Sequence, residues 1–308
     1  MNHLLSRRQF IRQTSLATTL AGLAPAAISA AAAEPAATPT PATLFGSNIY
    51  GWTQYADREK RPLSIPDVIS SLRDCGYDYL ESWMNLEQPD ENAKFAEQLR
   101  SKGLRPVTLY TGARLHEAGP ARQAVDKILK AAKVCLDAGF KLISCNPDPI
   151  GREKTDDELK TQSAALDDLG QGLTSLGVKI GLHHHLPEMT NRAREFHYNF
   201  QHTQKRYVGF CYDVHWVWKG GVPPADALKE YGDRVVSWHL RQSRAGIWWE
   251  DLDSGDVDYE FVAKVAKDRK LPRNFTVELA LEEGTKVTRS AAENHRRSLV
   301  YARKVFGA

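Results

Sequence analysis

From Leu44 onward, short apolar runs alternate with helix-patterned segments, and the alternation repeats eight times before the chain ends. That regularity leaves few folds open, because strand, helix and strand in series build a parallel sheet whose faces the helices cover. The strand-like runs are Leu44–Tyr50, Tyr77–Trp83, Leu104–Tyr110, Phe140–Cys145, Val178–His183, Tyr207–Tyr212, Val235–His239 and Phe275–Leu279. Among the intervening segments, Ser64–Cys75 is typical: Ser64 can cap it, Pro66 falls in its first turn, and Val68, Ile69 and Leu72 share a face. Gly76, Gly103, Gly139 and Gly177 each stop a helix directly before a strand, as short connections require. Eight such units predict a (β/α)8 TIM barrel. A doubly wound sheet would be expected to carry a G-x-G-x-x-G loop after a strand, and none is present.

The residues before Leu44 read differently. Ser6-Arg7-Arg8-Gln9-Phe10-Ile11-Arg12 resembles a twin-arginine export motif, and a weakly apolar stretch, Leu16–Ile28, and small residues follow. The apolar run is too short and too rich in Ala and Thr for a membrane span. The expectation is therefore a signal peptide over residues 1–30, a Pro/Ala/Thr linker over 31–43, and a barrel over 44–308. It implies a passage through the Tat translocon, periplasmic placement, and no membrane anchor once the signal is removed.

Charge narrows the partners. The formal net charge of +3 is supplied by Arg7, Arg8 and Arg12, so the body of the chain is near neutral. A neutral body gives no electrostatic basis for nucleic-acid binding. Cys75, Cys135, Cys145 and Cys211 form no C-x-x-C pair and read as small buried hydrophobes. A homo-oligomer stays open as a partner.

In a parallel barrel, chemistry sits on the loops that follow the strands. Those positions hold Glu81 after strand 2, Asn146 and Asp148 after strand 4, and His183, His184 and His185 with Glu188 after strand 5. Strand 6 contributes Asp213 and His215, strand 7 His239 and Arg241, and strand 8 Glu278. Oxygen and imidazole donors without thiolates suit one divalent ion such as Mn, Mg, Co or Zn. The alternation of a strand sends His183 and His185 to one face and His184 to the other. One of that pair is expected as a metal ligand and the other as a substrate contact. Trp216, Trp218, Trp238, Trp248 and Trp249 cluster after strands 6 and 7, as core or as a sugar platform.

The segments GLHHHLPEM, YDVHWVWKGG, WHLRQS, SGDVDY and VELAL, in this order, resemble the sugar-phosphate isomerase/epimerase superfamily of xylose-isomerase-like TIM barrels. The resemblance covers residues 44–308. It implies one divalent metal ion held from strands 5 to 8, with Asp213, His239 and Glu278 at the strand 6, 7 and 8 positions. His183 stands where the family commonly carries Glu. It further implies Glu188 and Glu278 as candidate bases and Arg241 or His215 as groups that stabilise substrate oxygens. Glu81, Asn146, His185 and Trp216 are the expected substrate contacts.

The function this implies is proton abstraction beside a carbonyl, in an isomerase or epimerase acting on a free sugar through a metal-stabilised enediolate. The alternatives are a lyase or hydratase that β-eliminates from a 3-keto-glycoside, and a non-catalytic sugar-binding barrel. The superfamily's multi-zinc DNA-repair endonucleases do not suit a neutral, exported chain.

Overall fold

A computed structural model describes residues 42–307, so the expected signal peptide and all but the last two residues of the linker lie outside the described residues. The strands are β1 (Leu44–Asn48), β2 (Tyr79–Trp83), β3 (Thr108–Ala113), β4 (Leu142–Pro147), β5 (Lys179–Leu182), β6 (Val208–Asp213) and β7 (Val235–Leu240). A small hairpin, β8 (Ser243–Arg244) and β9 (Ile247–Trp248), precedes the last barrel strand, β10 (Asn274–Val277). The helices are α1 (Ile49–Arg58), α2 (Ile65–Cys75), α3 (Asp90–Ser101), α4 (Ala118–Asp137), α5 (Asp156–Leu176), α6 (Thr190–Gln201), α7 (Val214–Lys219), α8 (Pro224–Tyr231), α9 (Tyr259–Asp268) and α10 (Ala291–Phe306).

The expected barrel is present. Eight strands close in the order β1-β10-β7-β6-β5-β4-β3-β2, all pairs parallel. Closure needs the backbones of β1 and β2 to come close over a large side chain. Gly46 permits it, since a Cβ there would lie 2.0 Å from the Tyr79 ring. The expected helix stops also hold: Gly76, Gly103, Gly139 and Gly177 all adopt positive φ, where a side chain would be strained.

Two layers fill the molecule. The apolar layer lies between sheet and helices, with Ile69, Leu72, Ile128, Leu166, Phe196, Phe210 and Leu299 essentially inaccessible. Inside the barrel the filling is polar instead: Glu81, Thr108, Ser144 and Thr276 are all at most 1% exposed. Barrel interiors are usually packed with Val, Ile and Leu. Buried polar groups persist only where they bond one another, so this interior is built around a network.

Besides the β8–β9 hairpin and the later start of β3, two helices depart from the sequence reading. The run Leu44–Tyr50, expected as one strand, ends as a strand at Asn48, whose side chain accepts from Tyr50 N at 2.7 Å and starts α1. Ile49, Trp52, Tyr55 and Ala56 bury its inner face at helical spacing. The second is α7, started by Asp213, whose Oδ1 accepts from Trp216 N at 2.8 Å. Among the described residues, no helix is long and apolar enough to cross a membrane.

Candidate metal centre

Four barrel strands deliver one side chain each to a single buried point. His183 follows β5, Asp213 ends β6, His239 lies in β7 and Glu278 follows β10. Register explains the meeting: Asp213 pairs with His239 across β6 and β7, and His239 with Thr276 across β7 and β10. Parallel strands in this register point those side chains inward together. One ligand-type atom from each residue lies within 4.8 Å of every other.

His183 Nε2 stands 3.4 Å from Asp213 Oδ2, and His239 Nδ1 stands 2.9 Å from Glu278 Oε2. Ligands held about 2.1 Å from one ion stand roughly 3.0 to 3.4 Å apart in octahedral or tetrahedral geometry. These two separations are of that size, and the full set spans no more than 4.8 Å. Both ring nitrogens of His183 are buried without a hydrogen-bond partner among the described residues. An uncommitted imidazole facing a carboxylate is costly unless something takes its lone pair. Two imidazoles and two carboxylates suit a divalent first-row ion. The residues fit such a metal.

Electrostatics reinforce the arrangement. Arg241 Nη2 donates to Asp213 Oδ2 at 2.9 Å and to Glu278 Oε1 at 2.7 Å. Burial alone would raise both carboxyls, but the Arg241 guanidinium and the neighbouring imidazoles hold Asp213 far below its usual range and Glu278 at about 2. Burial lowers His183 despite the opposing pull of Asp213, so it stays neutral, the form a metal ligand requires. His239 goes the other way. Burial opposes its charge, yet Cys211, Glu81 and Glu278 together raise it well above the ordinary imidazole range, so a metal bound there would have to displace a proton.

The expected substrate contacts fall into place unevenly. Asn146 accepts from the Tyr110 hydroxyl and donates to Pro147 O at 3.1 Å. His185 packs against His183 with centroids 4.7 Å apart and edge-on to Trp216 at 5.9 Å. The Arg241 guanidinium lies 5.2 Å from the Trp216 ring and 4.7 Å from the Trp248 ring, which meet each other edge-on at 5.1 Å. Glu81 does not reach a substrate position. It lies beneath the cluster, fully buried, with its carboxylate taken by Asn48 Nδ2 at 2.8 Å, Thr108 Oγ1 and Ser144 Oγ at 3.0 Å each, and His239 Nε2 at 2.7 Å.

Glu188 is buried, with Oε2 accepting from His185 N at 2.6 Å and Oε1 unpartnered among the described residues. Burial pushes its carboxyl up to about 7. His184 faces outward as alternation requires, packed against Phe196, Phe200 and Phe210. Trp238 is core, donating to Pro272 O at 2.7 Å.

Sequence reasoning missed Tyr110 and Trp83. Tyr110 lies 5.5 Å ring-to-ring from His183 and 6.5 Å from His239, and Trp83 is edge-on to it at 5.2 Å. Both stand at or near strand ends, so the rule that found Asp213 would have found them had aromatics been counted with ionisable groups. Surface hollows between α9 and α10, and between α4 and α5, lie far from this point and bring no comparable set of donors together.

A family model described as xylose isomerase-like TIM barrel matches residues 69–302. The chain belongs to that family. Among solved structures, a sugar phosphate isomerase/epimerase from Parabacteroides distasonis aligns with a TM-score of 0.69 at 19% identity, over 90% of this chain and 98% of that one. A D-psicose 3-epimerase solved in the presence of D-fructose aligns at 0.66 and 13% identity, over 86% of this chain and 100% of that one. A 3-keto-D-glucoside 4-epimerase from E. coli aligns at 0.64 and 15%, over 85% and 99%. At these identities the likeness is one of fold. No curated protein matches the chain. Within the family frame, His183, Asp213, His239 and Glu278 occupy the loop end of the barrel, where sites of this fold are built.

Proposed function

We propose that this chain is a divalent-metal-dependent isomerase or epimerase acting on a free sugar or sugar derivative. The observation that carries the reading is the buried His183–Asp213–His239–Glu278 cluster, closed over by Arg241 at the loop end of the barrel. The named activities of the structural neighbours are sugar isomerisation and epimerisation, which agrees with it.

These four side chains would hold the ion, and when bound it would supply Lewis-acid polarisation of a carbonyl and its neighbouring hydroxyl. The chain's own groups do the rest. Arg241, cationic and packed beside the Trp216–Trp248 pair, donates to oxygen that gains charge as an enediolate forms. Glu278, held ionised, is the candidate base that takes the proton from carbon. Glu188, with its carboxyl near 7, can carry a proton in either direction at neutral pH. Return of the proton to the same carbon from the opposite face epimerises, and return to the neighbouring carbon isomerises.

A second reading has one observation of its own. With His183 where a carboxylate was expected, the cluster offers one base fewer, while Glu188 stays protonated up to about pH 7. An acid of that kind suits protonation of a leaving group, as in β-elimination from a 3-keto-glycoside. Export through the twin-arginine pathway would put either enzyme among free sugars and glycosides.

Incubation of metal-loaded protein with ketoses and 3-keto-glycosides in deuterated water tests the pair. Deuterium at one carbon with the skeleton retained supports isomerisation or epimerisation. Release of aglycone supports elimination. Neither outcome with any sugar would remove both.

A further inference from the structure

His215 follows Asp213 by two residues and is wholly buried, yet it belongs to a separate chain of contacts. Its Nε2 lies 2.9 Å from Ser243 Oγ, and Ser243 Oγ lies 2.8 Å from Asp256 Oδ2. Asp256 also accepts from Gly246 N at 2.8 Å and from Ala245 N at 3.0 Å. Those amides form the tip of the β8–β9 hairpin, where Ala245 and Gly246 both take positive φ, as a tight two-residue turn demands. The loop carrying Asp256 closes directly on the hairpin, since a Cβ at Gly255 would lie 2.3 Å from Ser243 O. Gln242 fastens the same loop, bonding Asp253 O, Val257 O and Val257 N at 3.0 Å each. The position of Asp256 is therefore built, not incidental.

The direction of each hydrogen bond follows by elimination. A carboxylate can only accept, so the Ser243 hydroxyl proton points to Asp256. Ser243 Oγ then has only lone pairs to offer His215, so Nε2 must carry the hydrogen. Nδ1 is left as a bare lone pair, buried and without a partner among the described residues. Arg241, flanked by the same Trp216 and Trp248 that neighbour His215, can only donate.

We propose that Asp256, acting through Ser243, is a positioning residue that locks His215 in its Nε2–H form and makes Nδ1 a permanent hydrogen-bond acceptor. The consequence is a polarity rule resting on the sugar reading above: His215 receives a hydroxyl hydrogen and refuses a carbonyl or charged oxygen, which falls to Arg241. This narrows the role expected from sequence, in which Arg241 or His215 stabilised substrate oxygens.

The direct test is nitrogen NMR of protein labelled with 15N-histidine, with His215→Gln used to assign the signals. The wild type is expected to show a protonated Nε2 and an unprotonated Nδ1 for His215. Ser243→Thr should keep that pattern, while Ser243→Ala and Asp256→Asn should give a tautomer mixture, with metal affinity and circular dichroism unchanged. An Nδ1–H or doubly protonated His215 in the wild type overturns the proposal, as does a pure Nε2–H form in both variants. The spectra need no sugar. They stand apart from the functional reading, which fails separately if no sugar is bound or turned over.

Discussion

His239 Nε2 stands 2.7 Å from Glu81 Oε1, and both side chains are about 1% exposed. That contact leaves Nδ1, on the other side of the ring, to the cluster. It puts a carboxylate behind a candidate metal-binding histidine, an arrangement that fixes ring orientation and raises ligand basicity. Burial opposes ionisation of Glu81, but His239, Asn48 and Thr108 keep its carboxyl below the usual range.

Glu81→Gln should keep the barrel folded while weakening divalent-metal affinity by about 10- to 100-fold. Glu81→Ala should cost about 3 to 5 kcal/mol of stability as well, because it strands a buried charge. Calorimetric titration with metal and urea denaturation separate the two. Unchanged metal affinity in Glu81→Gln would show that Glu81 is only a packing group.

Glu188 should leave a mark on stability against pH. Its folded carboxyl is raised to about 7 by burial, so the folded state holds a proton that the unfolded chain releases near pH 4.5. That contribution is complete below about 4.5, falls as pH rises towards 7, and is flat above; the whole step is about 3 kcal/mol. Glu188→Gln should remove the decline between pH 5 and 7. Asp213 and Glu278, held low, act in the opposite sense and in a separate window, losing stability as pH falls below about 4. Denaturation midpoints of the metal-free protein across pH 3 to 8 check both signs.

Trp83 is 52% exposed and reaches the cluster through Tyr110, whose ring lies 5.5 Å from His183. An exposed indole one ring away from a polar centre is a stacking surface for a sugar face. Trp83→Ala should weaken sugar binding by roughly 10-fold, about 1.4 kcal/mol, with metal affinity and thermal midpoint nearly unchanged. Equal sugar affinity in the variant removes Trp83 from the site.

Much of the barrel was legible because its signals are local. Short apolar runs and glycine stops mark strands and helix ends without reference to the rest of the chain. Asp213, His239 and Glu278 were legible for a related reason, since an ionisable residue ending an apolar run is costly unless it has company. The partners of Glu81 were not legible, because its position in the strand is the same whether it faces a ligand or a network. Only the four partners on Asn48, Thr108, Ser144 and His239 distinguish the cases, and they come from four different strands or strand ends. The polarity of His215 was invisible for the same reason, being fixed by Asp256 across a hairpin the sequence did not announce.

The central claim is that His183, Asp213, His239 and Glu278 hold one metal ion. Elemental analysis of protein purified folded, alongside Asp213→Ala and His239→Ala, tests it most directly. About one divalent ion per chain is expected in the wild type, with loss of that ion in both variants and the fold retained. A wild type that binds no divalent ion when supplied with one, or variants that keep a full equivalent, would contradict it.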